Sequence, residues 1–252
     1  MLASLKSEFR KLLTVRTTYG ITLLTLLFIS LIAFYFEGWR LHGAALHDPN
    51  QLAGDVTGAL NLAILGAIVA ILLMTHEYRY NTIMYTLTAS NSRNKVLLSK
   101  FIVVSLYALL LTAAIAVLSP LMSYLGVHAH GNMLAPQVLQ YRDLAWRSLF
   151  YGWGYGMAGL LLALLTRNQI GSIVTVLIVP SVIENLVGFL ILKHNSVYMP
   201  FSALSQVLNG PSPASTPTSS TISSAAAAGV YCIYLAAGGV AAWVLFQKRD
   251  AN

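Results

Sequence analysis

Six stretches of this chain stay apolar for eighteen residues or more, and this feature constrains the fold most. They run approximately Tyr19–Phe36, Val56–Thr75, Phe101–Leu125, Trp146–Thr166, Ile170–Leu192 and Ala225–Phe246. A bilayer core of about 30 Å is crossed by about 20 residues of helix at a rise of 1.5 Å each. Composition points the same way: 57% of residues are hydrophobic and 9% charged, against roughly 45–50% and about 25% in soluble domains. In lipid each backbone polar group must be satisfied internally, which helices do by themselves. The expected class is therefore an all-α membrane protein of six transmembrane helices. Pro120 and Pro180 lie inside two of the spans, where membrane helices tolerate them. The first apolar run is preceded by about eighteen residues and ends in AFYFEGW without a small-x-small cleavage site, so it reads as a retained helix rather than a signal peptide.

Charge gives the orientation. Of the fifteen Lys and Arg residues, eleven fall before the first span, between the second and third, between the fourth and fifth, and after the sixth; four fall in the intervening links. With acids included, the first set nets +8 and the second zero. Basic residues are retained on the cytoplasmic side, so both termini are expected there. The same scatter argues against nucleic acid as a partner, because that binding needs basic residues gathered on one folded polar face. The single cysteine, Cys232, excludes an internal disulfide, a CxxC redox pair and a cysteine-rich zinc site.

The chain divides into an N-terminal segment (1–18), a six-span domain (19–246) and a tail (247–252). In the first, Leu2, Leu5, Phe9 and Leu12 recur at spacings of three and four, with Lys6, Arg10 and Lys11 largely on other faces. That pattern fits an amphipathic helix lying on the cytoplasmic surface of the membrane; the alternative is a plain extension of the first span. The link from His194 to Ser224 contains SVYMPFSALSQVL, read as a short interfacial helix using Phe201, Leu204 and Leu208, then the Pro/Ser/Thr-rich run GPSPASTPTSSTISS.

No catalytic constellation is visible. No GxxxxGK[ST] phosphate loop occurs. His76-Glu77 opens like a zinc-protease helix, but Tyr80 stands where the second histidine would be needed. His128 and His130 lack further ligands for a metal, and no metal site is expected. One ionisable residue lies deep in a span: Glu184, beside Asn185 and four residues after Pro180. Such a residue faces a wet cavity or a partner, so Glu184 and Asn185 read either as a polar patch in a substrate pathway or as a structural site paired with Arg147 or bonded across helices. In the fourth span Gly152, Gly156 and Gly159 form a small-residue stripe that lets helices approach closely, within the chain or at a dimer seam. Trp39, Tyr141, Trp146 and Tyr198 read as headgroup anchors.

The link HEYRYNTIMYTLTASNSRNKVLLSK between spans two and three resembles that of type-2 ABC transporter permeases, in which an acidic residue closes the second span, a Gly-Thr or similar pair, an apolar Leu-rich turn and a Pro-x-Ser-Arg or similar corner follow, and a lysine opens the third. Glu77, Thr82, Leu87, Ser92, Arg93 and Lys100 match; Asn81 and Ser90 stand where Gly and Pro are common. The resemblance implies a cytoplasmic coupling helix in this link, docking through residues such as Glu77, Tyr78, Arg79, Thr82 and Arg93 on a separate ABC ATPase. It further implies two ATPase copies, with ATP and Mg bound there and no cofactor in this chain. A second permease, copy or paralogue, would complete one substrate pathway in a prokaryotic cell membrane, in an exporter rather than an enzyme. The rival classes are an ion-coupled secondary transporter and a non-transporting membrane scaffold.

Overall fold

The computed structural model describes residues 2–80, 82, 84–85, 92–137, 141–210 and 222–248, and among these it contains helices and no strand. Helix α1 (Leu2–Thr14) precedes six helices long and apolar enough to span a membrane: α2 (Arg16–Trp39), α3 (Gln51–Arg79), α4 (Arg93–Ala129), α5 (Tyr141–Thr166), α6 (Gln169–Leu192) and α8 (Ser224–Lys248). A short helix, α7 (Pro200–Asn209), lies between the last two. Four of the six spans run beyond the apolar windows at both ends, because a helix continues past the first charged residue as long as its side chains find partners. The extreme is α4, whose 37 residues reach about 55 Å.

The spans are unequally buried. Two thirds of α5 is inside the bundle and half of α3, whereas α2, α6 and α8 are each 17% buried. The core is thus α3, α4 and α5, and the other three lean on it. Glycines make the core compact: a Cβ on Gly152 or Gly156 would strike Thr112 or Ala108 of α4, and one on Gly159 would strike the Ala67 backbone of α3. The small-residue stripe is therefore used inside this chain. On α2 and α6 the outward residues are large and apolar, among them Leu23, Leu27, Leu31, Leu186, Phe189 and Ile191, as suits faces turned to lipid.

Four segments depart from α geometry within the spans. Ala33–Trp39, Val179–Ile183 and Gly188–Leu192 are wound as wider π turns, the second containing Pro180, whose missing N–H and ring disrupt the regular ladder. A tight 3-10 turn interrupts α3 at Leu60–Ala63.

At the start of the chain Val15 is extended (φ −75°, ψ 113°), so α1 is a helix separate from α2. Its Leu5, Phe9 and Leu12 pack on the core. Helix α7 also packs inward: Phe201, Leu204, Val207 and Leu208 are buried, so it belongs to the bundle rather than resting on its surface. Gly210 ends it at φ +67°, a conformation that only glycine adopts without strain.

Candidate functional site

The starts of α2, α4 and α6 and the ends of α3, α5 and α8, where Arg16, Arg79, Arg93, Lys95, Lys100, Arg167 and Lys248 lie with Lys6, Arg10 and Lys11 of α1 beside them, are called the basic end here; the opposite is the far end. At the basic end α1, α3 and α4 meet through four charged side chains. Glu77 lies near the end of α3, Lys100 in the second turn of α4, and Glu8 and Lys11 one turn apart on α1, which brings them to one face. Lys100 Nζ donates to Glu8 Oε2 at 2.9 Å and to Glu77 Oε1 at 2.7 Å. Lys11 Nζ donates to Glu8 Oε1 and to Glu77 Oε1, each at 2.6 Å. Three of the four side chains are 3–6% exposed and Lys11 is 33% exposed.

Two acids and two lysines in one desolvated cluster cancel in charge, and each charge has two opposite neighbours or shares one. Desolvation opposes ionisation of the Glu8 carboxyl, but the Lys100 charge and the hydrogen bonds from Lys11 outweigh it and hold its pKa below the ordinary value. Burial likewise works against the Lys11 ammonium, and the charge and hydrogen bond of Glu77, with those of Glu8, raise its pKa above the ordinary value. A buried pair of this kind adds little net stability over apolar packing, but removing one member strands the others and costs about 3–5 kcal/mol. Its effect is to lock geometry: α1 cannot move without α3 and α4.

Neighbouring contacts extend the same unit. The Arg167 guanidinium, in the turn between α5 and α6, lies 5.0 Å from the ring centre of Tyr78. Arg93, the first residue of α4, donates to the carbonyls of Phe246 and Gln247 at 3.1 Å, satisfying acceptors that a helix C-terminus leaves open. Asn94 accepts from Trp243 Nε1 at 3.0 Å and from the Gln247 amide. The end of α8 is thereby tied to the start of α4.

The sequence-selected residues divide accordingly. Glu77, Tyr78 and Arg93 make these internal contacts, whereas Arg79 and Thr82 are exposed. The Thr82 N–H donates to the Glu77 carbonyl at 2.9 Å, turning the chain as it leaves α3. Most of the expected coupling helix, at 81, 83 and 86–91, falls outside the described residues. Glu8 and Lys11 were not singled out by sequence. The available signal was an acid three residues before a lysine on α1, matched by Glu77 and Lys100 at the adjoining ends of two spans.

Glu184 is buried in α6 and accepts from the Phe201 N–H at 2.9 Å, the Ser202 N–H at 2.7 Å and the Ser202 hydroxyl at 2.8 Å. It closes the N-terminus of α7, where unsatisfied amides and the helix dipole favour a negative charge. Its partners are these donors, while Arg147 pairs with Asp143 at 2.5 Å. Asn185 is exposed and donates to the Ser181 carbonyl at 2.8 Å.

Among the described residues no group of three or more His, Cys, Asp or Glu side chains is placed to hold a metal ion. The sequence model of a family described as ABC-2 family transporter protein matches residues 4–188, from α1 through most of α6. No curated protein matches the chain.

Proposed function

This chain belongs to the ABC-2 family of transporter proteins, and on that premise we propose that it is the pathway-forming subunit of an ABC exporter, driven from its basic end by a separate ATPase. The family's members are membrane subunits without catalytic chemistry of their own, and they work in general with an ABC ATPase. In the proposed assembly two copies of this chain, or this chain and a paralogue, enclose the pathway. Two ATPase copies supply ATP and Mg chemistry from the cytoplasm of a prokaryotic cell, where both termini also lie.

The observation that carries this reading is the buried Glu8–Lys11–Glu77–Lys100 cluster. A permease must turn a push delivered outside the bilayer into movement of its spans. The link between Arg79 and Arg93 leaves α3 two residues after Glu77 and enters α4 seven residues before Lys100. A displacement of that link therefore reaches α3 and α4 together, and α1 with them, through bonds of 2.6–2.9 Å. Arg79, exposed beside the link, fits a charge that sets register on the ATPase. The acid considered for ion coupling, Glu184, is occupied in holding α7, which leaves the secondary-transporter reading without that residue.

The test separates docking from transmission in the assembled transporter. Arg79→Ala should weaken association with the ATPase, by ~2–5 kcal/mol where the charge is buried at the contact. Glu77→Ala should leave association intact and lower substrate-stimulated ATP hydrolysis. Normal association, hydrolysis and transport in both variants would show that this end of the bundle is not the coupling element.

A further inference from the structure

The far end holds two acids of its own, Asp55 buried and Glu37 half-buried, and they are built differently. Glu37 lies in the wide-turn segment that ends α2, and Asp55 in the second turn of α3. Gly38 and Gly126 bring the backbones of α2 and α4 into contact, so that a Cβ on Gly38 would sit 2.8 Å from the Gly126 Cα. Glu37 is thereby held against α3: its Oε1 is 3.7 Å from where a Cβ on Gly58 would stand, and Gly58 follows Asp55 by three residues on the same helix face.

The serine hydroxyls around them donate to backbone carbonyls. Ser119 Oγ donates to the Asp55 carbonyl at 3.0 Å, and Ser123 Oγ, which also lies near the Asp55 carboxyl, donates to the Glu37 carbonyl at 3.2 Å. The Gln51 amide donates to Asp55 Oδ1 at 2.8 Å. Glu37 Oε2 and Asp55 Oδ2 remain, buried and without a hydrogen-bond partner, on an aspartate only 4% exposed.

Among the described residues no Lys, Arg or His pairs with either acid. Arg40, three residues past Glu37, is exposed, and so is Asp48 in the link to α3. The His42 and His130 rings meet edge to face, as do those of His130 and Trp39. On α5, Arg147 and Asp143 pair with each other; α4 presents Ser119, Ser123 and, farther out, Tyr124 and His128, whose rings stack together. Two neighbouring desolvated carboxylates without a cation do not both stay ionised.

We infer that Glu37 and Asp55 form a proton-binding site, one proton held by the pair at neutral pH and joining the ends of α2 and α3. Loss of that proton leaves two like charges between these helices and loosens their contact. The site lies near the bundle end, so it acts on packing at the far face and forms no relay through the membrane. It is independent of the ATPase.

The test is pH-difference infrared spectroscopy on the full-length chain in lipid nanodiscs. The wild type should show the carbonyl band of a protonated carboxyl group at neutral pH, lost as the pH is raised. The band should be absent from Glu37→Gln/Asp55→Asn and retained in Glu184→Gln, a change on α6 that leaves the pair in place. Should the double variant fail to fold, Glu37→Gln alone must remove the band. Thermal unfolding gives a second readout: alkaline pH should destabilise the wild type more than the double variant. Absence of the band in the wild type, or its persistence in the double variant, overturns the inference. Stabilisation of a band-free wild type by sodium or calcium would show that the pair holds a metal cation and would overturn it equally.

Discussion

Lys100 holds the basic end together: it is 3% exposed and bonded to both acids, so replacing it exposes the account at its most sensitive point. Lys100→Met should cost about 3–5 kcal/mol, since Glu8 and Glu77 would share Lys11 alone in a desolvated site. Adding Glu77→Gln should recover part of the loss, because that change removes one stranded charge; a double-mutant cycle on thermal stability measures the difference. The cluster also sets a pH dependence. The Glu8 pKa is lowered on folding, so its contribution is present at neutral pH and is lost as the pH falls through its folded value, below 4.5. The Lys11 pKa is raised, so its contribution holds up to the ordinary 10.5 and is lost only above that. Acid destabilisation should therefore be smaller in Glu8→Gln than in the wild type. Sequence marked Glu77 and Lys100 through their place beside the link. It did not pair them with Glu8 and Lys11, because separations of 66 and 92 residues carry no register until the helices pack. Glu37 and Asp55 stand one residue outside the apolar windows and so count in the sequence among the acids of the outer links, whereas the helices run on for about one turn or more past those windows.

At the scale of elements, the helices themselves were legible and their neighbours were not. Periodic apolar windows and a bilayer's thickness fix that six spans exist, and the small residues of α5 announce a close approach. They do not say that Gly152 and Gly156 meet α4 while Gly159 meets α3. This arrangement has a testable consequence. Gly159→Ala should destabilise the protein by about 1–3 kcal/mol, since its methyl would press on the Ala67 backbone. Gly229→Ala on α8, with nothing within 4 Å of the new Cβ, should be neutral or stabilise by up to about 1 kcal/mol through helix propensity. Detergent-solubilised melting curves compare the two directly. Helix α7 is the element that sequence misplaced: its apolar spacing fits a membrane surface and a protein core equally well. The Glu184 carboxylate at its N-terminus, sixteen residues before Pro200, decides for the core.

The whole molecule is a bundle with unlike ends: among the described residues, Glu8 and Glu77 at the basic end are held by lysines, and Glu37 and Asp55 at the far end pair with none. The eleven-to-four partition of basic residues predicts the basic end to be cytoplasmic. With Cys232 replaced by serine, single cysteines at Asn50 and Ala129 should react with an impermeant reagent in intact cells, and one at Asn91 should not. The central claim, that a separate ATPase drives this chain through its basic end, is tested most directly by isolating the affinity-tagged chain from native membranes and assaying the preparation for ATP hydrolysis. The account predicts that an ABC ATPase is recovered in a fixed ratio to this chain, with hydrolysis that falls in Glu77→Ala although the ratio holds. Recovery of functional, transporting chain without any ATPase would contradict it.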